Sequence, residues 1–558
     1  MKNLYIRLLT CIAAPALLAS CNKLNLEPVN ALDQELFFRS DQDAILAVNG
    51  VYAALVESES VVTAWLVDLG SDVSQNGESM PSGSGAELSS FHFNAGNAHT
   101  GYSWGDNYYG IANATALINK LDDPATPVSD RIRKRVRGEA KFLRAYYNSI
   151  VVQLFGEVPL LLESGYSAGV GVEREDVHTV YRQIVDDLAG AAEDLSEYPT
   201  TSAYSAEDKG RITQQSAYGL LAKVYLVWAQ TYGAAEIPEK YDKAVEYADK
   251  VTGYALEEKF HANWEKDNRY GKEILFSANY VLSQESFGDG GNHLSHCAFS
   301  TAFDQQTPHL VVSDRTFYDR FDDRDQRKRA TFLTWAVNPD NGDTVVYNLP
   351  RYAKYIDFSA PLTSAKNREL NASILRYAEV LLVKAEAINE RNNGPNDEAY
   401  EAINKVRYRA FKVGDFADPP TATTTTLTED SVALKNLDYK SFRKALRRER
   451  FYELTYEQVR WFDLVRWKVL IKTVKRVAAS SKKDNVAPLH YRFPIPQPQR
   501  DLNGKLWQNW GYEGSAASVP HYAATGYEGD ADNNDGWTDE EANALYQNIS
   551  TPQITQQP

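Results

Sequence analysis

Apolar residues recur every three or four positions over most of the chain, which is the spacing of one face of an α-helix. The first such stretch follows Ser40, where Ala44, Ile45 and Val48 fall on one side. Ser40 and Asp43 have the spacing of a capping box, so a helix is predicted to begin there. Further helices are predicted over residues 108–121, 131–155, 177–195, 217–230, 241–251, 375–391, 397–411, 439–456 and 458–471.

Two pairs of these helices resemble each other: 217–230 with 241–251, and 375–391 with 397–411. Alanine recurs at every third or fourth place in the second helix of each pair, and small residues let two helices approach closely. Such pairs are similar to tetratricopeptide repeats, although their spacing is irregular. The sequence therefore predicts a mainly α fold with a scaffold of four tetratricopeptide-like helix pairs.

Two stretches lack a sustained helical period. Residues 71–107 are rich in glycine, serine and asparagine and are predicted to form a long irregular surface segment. Residues 272–370 contain short β-branched or aromatic runs at 273–281 and 344–347, which indicate a few strands among loops. Because binding residues concentrate on loops held by a rigid scaffold, this partly stranded part is the expected ligand-binding region.

The first 20 residues have the features of an export signal. Lys2 and Arg7 are followed by an apolar run over residues 8–18, which is too short to span a bilayer as a helix. Leu18-Ala19-Ser20-Cys21 then resembles the lipobox of bacterial lipoproteins, so cleavage before Cys21 and lipidation of its thiol are expected. The alternative is an ordinary secretory signal with an incidental cysteine. Residues 1–20 are thus predicted to be the signal and 21–39 a lipidated tether.

Composition limits the ligand. The chain has three cysteines, and after removal of Cys11 and lipidation of Cys21 only Cys297 would remain, so no internal disulfide is possible. A formal charge of −16 argues against nucleic acid and favours a neutral or cationic ligand. The 34 tyrosines and 10 tryptophans suit sugars, because an aromatic face packs against the C–H face of a pyranose.

Several motifs together carry a family resemblance. The C-terminal half contains LRYAEVLL at 375–382, RRERFYEL at 447–454, RWFDLVRW at 460–467, FPIP at 493–496 and QNWGY at 508–512. The N-terminal half adds NLEP at 25–28, NGVY at 49–52, YGIANA at 109–114 and AKFLRAY at 140–146. In content and order these motifs resemble the RagB/SusD family of nutrient-capturing outer-membrane lipoproteins. The resemblance spans an N-terminal SusD-like helical region over 40–260 and a C-terminal RagB/SusD region over 261–558.

The resemblance implies a function. The chain would be lipid-anchored in the outer membrane, facing the cell exterior, where it binds an oligosaccharide and delivers it to a SusC-like TonB-dependent transporter. No catalytic motif is found, so an enzyme is not expected. Three alternatives stay open: a peptide-binding member of the same family, an exported glycoside hydrolase whose two carboxyl groups are distant in sequence, and a lid for the transporter without affinity of its own.

The candidate binding residues are aromatic. Trp104 and Asn107 stand three apart with Tyr102 beside them, so a ring could stack on a sugar while an amide binds its hydroxyl groups. The family resemblance also implies a tryptophan and an asparagine at comparable places. The alternative is that Trp104 packs the start of a helix. Tyr280 and Trp335 are further candidates in the loop-rich region.

Two charged clusters are also considered. Asp530, Asp532, Asn534 and Glu541 occupy positions one, three, five and twelve of an EF-hand-like loop, which suggests calcium. Gly536 is one position later than such loops require, so a solvated acidic loop is the alternative. The second cluster is Glu449, Arg450, Asp463 and Arg466, whose acid/base chemistry is weighed against simple charge pairing within the helices.

Overall fold

The computed structural model of this chain describes residues 38–58, 65–75, 83–163, 171–233, 239–280, 315–337, 342–356, 370–412, 427–476, 481–519 and 533–541. Within these ranges helices dominate and strands are few. This confirms the mainly α fold class that the hydrophobic spacing predicts.

The α-helices are numbered here in chain order. They are α1 (Asp41–Glu57), α2 (Ser84–Ser89), α3 (Ala98–Asp122), α4 (Asp130–Phe155), α5 (Val177–Asp194), α6 (Gln214–Tyr232), α7 (Lys240–Lys250), α8 (Arg315–Asp319), α9 (Gln326–Thr331), α10 (Tyr377–Asn392), α11 (Asp397–Phe411), α12 (Glu429–Val432), α13 (Tyr439–Leu454), α14 (Arg460–Arg466), α15 (Leu470–Lys475), α16 (Lys482–Asn485) and α17 (Gln497–Leu502).

Short polar side chains fix where several helices begin. The Ser40 hydroxyl accepts a hydrogen bond from the Asp43 backbone N–H and donates one to the Asp43 carboxylate at 2.9 Å, which confirms the predicted cap of α1. Thr213 and Ser216 form a reciprocal capping box at α6. Such contacts satisfy backbone donors that have no partner within the helix.

Most of the long helices pack against the next long helix along the chain. Helix α3 packs on α4, α4 on α5, α5 on α6 and α6 on α7, and the chain continues with α7 on α10 and α10 on α11. Small residues allow these approaches: Ala244, Ala248 and Ala402 are buried at the contacts. A Cβ at Gly219 of α6 would lie 2.7 Å from a Leu275 methyl group, so the glycine is needed for this close approach.

Two antiparallel two-stranded sheets stand beside the helices in the described residues. Strand β1 (Ile274–Ala278) pairs with β4 (Ala372–Arg376), and β2 (Phe332–Val337) pairs with β3 (Thr344–Tyr352). The two runs predicted to contain strands, 273–281 and 344–347, thus contain residues of β1 and β3. Residues 375 and 376 were expected in a helix but belong to β4, because their backbone pairs with β1 before α10 begins at Tyr377.

The apolar core is continuous through the helical scaffold and the stranded part. Buried side chains from α1, α3, α6, α10 and α14 belong to one packed cluster. None of the helices in the described ranges is long and apolar enough to cross a membrane.

Candidate functional site

The candidate residues Tyr102, Trp104 and Asn107 lie inside helix α3, which begins at Ala98. The predicted irregular segment therefore ends about ten residues early. Asn97 is the N-cap: its side chain accepts a hydrogen bond from the Thr100 backbone N–H at 3.3 Å and donates to the Glu87 carboxylate at 2.7 Å. Because these residues are helical, their spacing now decides which of them face solvent.

Trp104 faces the core. Its side chain is fully buried, and its ring lies 4.8 Å from that of Tyr108 and 5.0 Å from that of Phe155, measured between centroids. Trp104, Tyr108 and Ile111 are spaced by four and three residues, so they form one buried stripe of α3. This burial corrects the expectation that Trp104 presents a face for stacking on a ligand. The structure instead shows the alternative, in which Trp104 packs the start of the helix.

Asn107 is also buried. Its Nδ2 donates to the Ser103 carbonyl at 2.7 Å, and its Oδ1 accepts from the Ser58 hydroxyl at 3.2 Å. The amide thus links α3 to the end of α1 from within the core. It does not face a ligand together with an exposed Trp104, as the sequence suggested.

Tyr102 and Tyr109 are the exposed rings of α3. Their side chains are 57% and 62% exposed. Seven residues apart, they lie on nearly the same line along the helix, about 10 Å from each other along its axis and about 20° apart around it. Tyr109 was missed as a candidate, although its seven-residue spacing from Tyr102 is a signal that the sequence contains.

The surface between these two rings is low. Gly105 lies one turn after Tyr102, and a Cβ built there would meet no atom within 4 Å. Asp106, four residues after Tyr102 and three before Tyr109, is half-buried on the same side. We refer to Tyr102, Gly105, Asp106 and Tyr109 as the α3 tyrosine face.

His99 borders this face. Its ring lies edge-on to Tyr102, with 6.3 Å between centroids. Burial lowers the pKa of His99 to about 4, so the imidazole is neutral near pH 7. The aromatic surface at this end of α3 therefore gains no positive charge from its histidine.

On helix α6, two tyrosines with the same spacing have another ring of the protein between them. Tyr218 and Tyr225 are also seven residues apart, and the ring of Tyr247 from α7 stacks against both. The centroid distances are 6.1 and 5.8 Å, and the Tyr225 and Tyr247 planes differ by only 6°. On α6 a protein ring thus already occupies the space between two tyrosines, whereas on α3 the position between them is a glycine.

Tyr280 does not present a ring to solvent. It is 1% exposed, and its hydroxyl donates to the Val56 carbonyl at 3.3 Å. Its backbone N–H donates to Asn371 at 3.2 Å. Tyr280 therefore anchors the end of β1 to α1, and the expectation that it faces a ligand is corrected.

Trp335 does present a ring. It lies on β2 and is 46% exposed, directly across from Val346 of β3, which is 41% exposed. Directly opposite side chains of an antiparallel pair are close neighbours, so the two form one apolar patch on the hairpin. Trp335 is thus exposed as expected, and its contact with a ligand stays a prediction.

The described part of the calcium loop is engaged in protein contacts. The Glu541 carboxylate pairs with Lys444 at 2.9 Å and with Arg448, and it accepts the Thr538 backbone N–H. Asn534 Oδ1 accepts the Gly536 N–H at 3.0 Å. An ion would have to displace these partners, so the two residues do not fit a calcium site in this arrangement. Asp530 and Asp532 lie outside the described residues, and calcium binding stays untested.

The second charged cluster is a set of buried ion pairs. Arg450 makes two 2.9 Å hydrogen bonds to Asp463, which Arg466 also contacts at 2.9 Å. Glu449 pairs with Arg327 at 2.6 Å. These pairs support the packing interpretation over acid/base chemistry, because each carboxylate is already held by a guanidinium. Among the described residues there is also no group of three or more histidine, cysteine or acidic side chains arranged to hold a metal.

The remaining candidates fall elsewhere in the chain. The signal at 1–20, Cys21 and the tether up to residue 37 lie outside the described residues. Lipidation of Cys21 therefore stays a prediction from the sequence.

Comparison with known proteins adds independent information. A model of the SusD family matches residues 201–512, and a model described as starch-binding associating with outer membrane matches residues 24–226. SusD-like protein P25 of Formosa agariphila is 25% identical over 541 residues, which cover 88% of this chain and 95% of that one. The matches thus extend over both predicted regions.

Solved structures share the fold. A SusD homolog from Bacteroides thetaiotaomicron has a TM-score of 0.72 at 23% identity and covers 85% of this chain and 97% of that one. A structure described as a laminarin binding SusD-like protein has a TM-score of 0.65 at 24% identity, with 84% and 99% covered. At such identities the likeness establishes a common fold.

Proposed function

The chain belongs to the SusD family, and on this premise we propose that it is a cell-surface lipoprotein that binds an oligosaccharide and passes it to a SusC-like TonB-dependent transporter. The family description that matches the N-terminal part mentions starch binding and the outer membrane, and one solved neighbour is described as laminarin-binding. Capture by such a protein requires reversible binding and no bond cleavage.

The observation that carries this proposal is the α3 tyrosine face. Two exposed rings in line, with a glycine between them, offer apolar faces that a chain of sugars can contact at two points. The phenolic hydroxyls supply hydrogen-bonding groups at its edges. A small number of polar groups around an apolar surface is typical of small-ligand sites.

Trp335 is the proposed second contact. Its exposed ring is on the β2–β3 hairpin, which is far from α3 in the sequence. The side chains of Tyr102 and Trp335 thus remain ligand-binding candidates, and Tyr109 joins them.

Titration of the purified protein against a panel of oligosaccharides and peptides tests the proposal. We expect binding to at least one oligosaccharide without product formation. Tyr102→Ala and Tyr109→Ala should each weaken it about tenfold, which corresponds to loss of one stacking contact. Tyr225→Ala is the matched control, because that ring already stacks on Tyr247 and should leave affinity unchanged.

Other outcomes would reject parts of the proposal. Binding of peptides alone would favour the peptide-binding alternative, and release of shorter sugars would favour a hydrolase. If Tyr102→Ala and Tyr109→Ala both retain full affinity, the α3 tyrosine face is not the site. Trp104→Ala should instead lower stability by about 3 to 5 kcal/mol, because it leaves a cavity in the core.

The anchor and the transporter need separate tests. Mass spectrometry of the mature N-terminus should find a diacylglyceryl group on Cys21, and an unmodified cysteine or an intact signal would contradict the lipoprotein assignment. Co-purification from the outer membrane should recover a TonB-dependent transporter, and its absence under mild detergent would argue against delivery by direct contact.

A further inference from the structure

We propose that the α3 tyrosine face binds extended β-1,4-linked glycans, with the sugar chain lying along the axis of α3, in preference to coiled α-1,4- and β-1,3-linked chains. This inference rests on the function proposed above and adds a substrate class to the same site. Glucans and mannans with β-1,4 linkages are the expected ligands. Oligomers of the starch and laminarin types are expected to bind weakly.

The spacing of the two exposed tyrosines is close to the repeat of an extended sugar chain. Tyr102 and Tyr109 are about 10 Å apart along the helix axis and only about 20° apart around it. A β-1,4-linked chain of glucose or mannose is a nearly flat ribbon in which each sugar is turned over relative to the one before. Every second sugar therefore presents the same face, and two such sugars are separated by almost this distance. One chain can thus place equivalent C–H faces on both rings.

The turn between the two rings leaves room for the intervening sugar. Gly105 has no side chain, and a Cβ built there would meet no atom within 4 Å. Helix α6 gives a measure of the width, because the ring of Tyr247 fits between two tyrosines of the same spacing, at 6.1 and 5.8 Å from their centroids. A six-membered ring therefore fits between such tyrosines. On α3 that ring would be the second of three consecutive sugars.

The line of α3 that carries the two rings continues with short side chains. Ala112 and Asn113 are half-buried neighbours of Tyr109 one turn later, and Ala116 is exposed after a further turn. Ala116 follows Tyr109 by the same interval that separates Tyr109 from Tyr102, so the line is about 21 Å long. The Asn113 amide can donate to and accept from sugar hydroxyl groups beside Tyr109. A straight oligosaccharide can stay in contact over this length.

Linkage decides whether a glycan can follow such a line. In β-1,4-linked glucose and mannose both bonds to the ring are equatorial, so the chain is extended and its C–H faces are accessible. In α-1,4-linked glucose the bond at the first carbon is axial, and in β-1,3-linked glucose the two bonds diverge, so both chains coil. A coiled oligomer that packs on Tyr102 directs its third sugar away from Tyr109. The extended chain is thus the one that gains both stacking contacts.

Calorimetric titration of the purified protein with hexasaccharides tests the linkage preference. The extended probes are cellohexaose and mannohexaose, and the coiled probes of equal length are maltohexaose and laminarihexaose. We expect at least one extended probe to bind about tenfold more tightly than either coiled probe, because it contacts the second ring as well.

A series of chain lengths tests the alignment of sugars with the two rings. A trisaccharide is the shortest ligand that reaches both, so affinity should rise about tenfold from the β-1,4-linked disaccharide to the trisaccharide. Tyr102→Ala and Tyr109→Ala should each abolish this rise, because a single ring remains. Tyr225→Ala is the control and should preserve the rise, because that ring stacks on Tyr247.

Gly105→Leu tests the path of the chain along the helix. The fold has space for the added side chain, but this side chain stands between the two rings and should weaken binding of the extended hexasaccharides about tenfold. Gly50→Leu is the matched control, because Gly50 is an exposed helical glycine of α1 that also has open space around it. Both variants should keep the circular dichroism spectrum of the wild type.

The outcomes distinguish this inference from the function on which it rests. Equal affinity for extended and coiled hexasaccharides, or tighter binding of a coiled one, would overturn the linkage preference and leave glycan binding intact. A preference for extended chains that survives both tyrosine variants and Gly105→Leu would overturn the placement of the chain along α3. Absence of binding to every oligosaccharide would reject the proposed function itself.

Discussion

Asp68 is a carboxylic acid placed where water cannot reach it. It lies in the π-helical turn Trp65–Leu69 and is fully buried. Burial raises its pKa to about 7, although Tyr352 and the ammonium groups of Lys354 and Lys482 act in the opposite direction. A carboxyl with such a pKa changes its protonation within the physiological range.

This shift makes stability depend on pH. The folded protein holds the Asp68 proton more tightly than the unfolded chain, whose carboxyl has a pKa near 3.8. Below pH 4 both states are protonated, and between about pH 4 and 7 the folded state loses stability as the pH rises. Asp68→Asn removes this dependence. The unfolding free energy of the variant, relative to that of the wild type, should therefore rise by about 2 kcal/mol from pH 5 to pH 8.

Urea denaturation at pH 5, 6.5 and 8 measures the effect as a difference in unfolding free energy. The exposed Asp267→Asn is the control, and its difference from the wild type should stay constant over this range. A constant difference for Asp68→Asn as well would show that Asp68 is ionised in the folded protein at pH 5.

At this scale the sequence identifies residue types but not their exposure. Aromatic composition correctly directs attention to Tyr102 and Trp335, but it cannot separate them from the buried Trp104 and Tyr280. For α3 the sequence does allow buried and exposed rings to be distinguished. The buried stripe, extended backward from Ile111, reaches Trp104 and leaves Tyr102 outside. For Tyr280 the sequence does not, because its burial depends on contacts with Val56 and Asn371, which are distant in sequence.

At the scale of elements, a short helix holds an irregular segment in place. Lys482 begins α16, and its ammonium donates to the carbonyls of Leu69 at 2.8 Å, Ser71 at 2.7 Å and also Ser74. The side chain is 1% exposed. One buried cation thus satisfies three backbone acceptors of the segment that contains Asp68.

Lys482→Met should therefore destabilise the protein by about 2 to 4 kcal/mol, because it leaves these carbonyls buried without their donor. The neighbouring Lys483 is exposed, so Lys483→Met is a matched control with little expected effect. Hydrogen exchange should show faster amide exchange in residues 65–75 of the Lys482 variant. Equal stability of the two variants would mean that water or another group replaces the ammonium.

Elements were predictable to different degrees for a physical reason. Helices such as α1 and α5 depend on local spacing and on capping side chains within a few residues, so the chain itself specifies them. Strand β4 depends on β1, almost a hundred residues away, and its sequence reads equally well as the first turn of α10. Long-range pairing of this kind is not visible in a local pattern.

At the scale of the molecule, polar contacts join the two regions that the family motifs divide at residues 260 and 261. Glu386 of α10 accepts a hydrogen bond from Gln230 of α6 at 2.8 Å. Further links cross the same division: Lys223 to Glu379 at 3.1 Å, Arg460 to Asp72 at 2.7 Å, and Arg174 to Asn509 at 2.7 Å. The two regions therefore differ in their sequence motifs, but the described residues of one region pack closely against those of the other.

Glu386 is the best place to test whether the two regions unfold together. It is fully buried; burial alone would raise its pKa, but Arg466, at 2.8 Å from both oxygens, holds the pKa below its usual value. Its stabilising contribution is therefore present above about pH 4.5 and is lost as the pH falls below that. Glu386→Gln removes one of the two carboxylates that hold the buried Arg466, with Asp463 remaining, and should cost about 2 to 3 kcal/mol at pH 7 because a charge-assisted pair is lost.

Because the links cross the division, this loss should lower the stability of the whole molecule. Far-ultraviolet circular dichroism and tryptophan fluorescence should give one coincident urea transition in the wild type, and in Glu386→Gln the transition should move to lower urea without splitting. Exposed Glu398→Gln serves as the control and should leave the midpoint in place. Two separated transitions in the variant, with only one displaced, would show that residues 40–260 and 261–558 fold independently and that the contacts at Glu386 merely dock them.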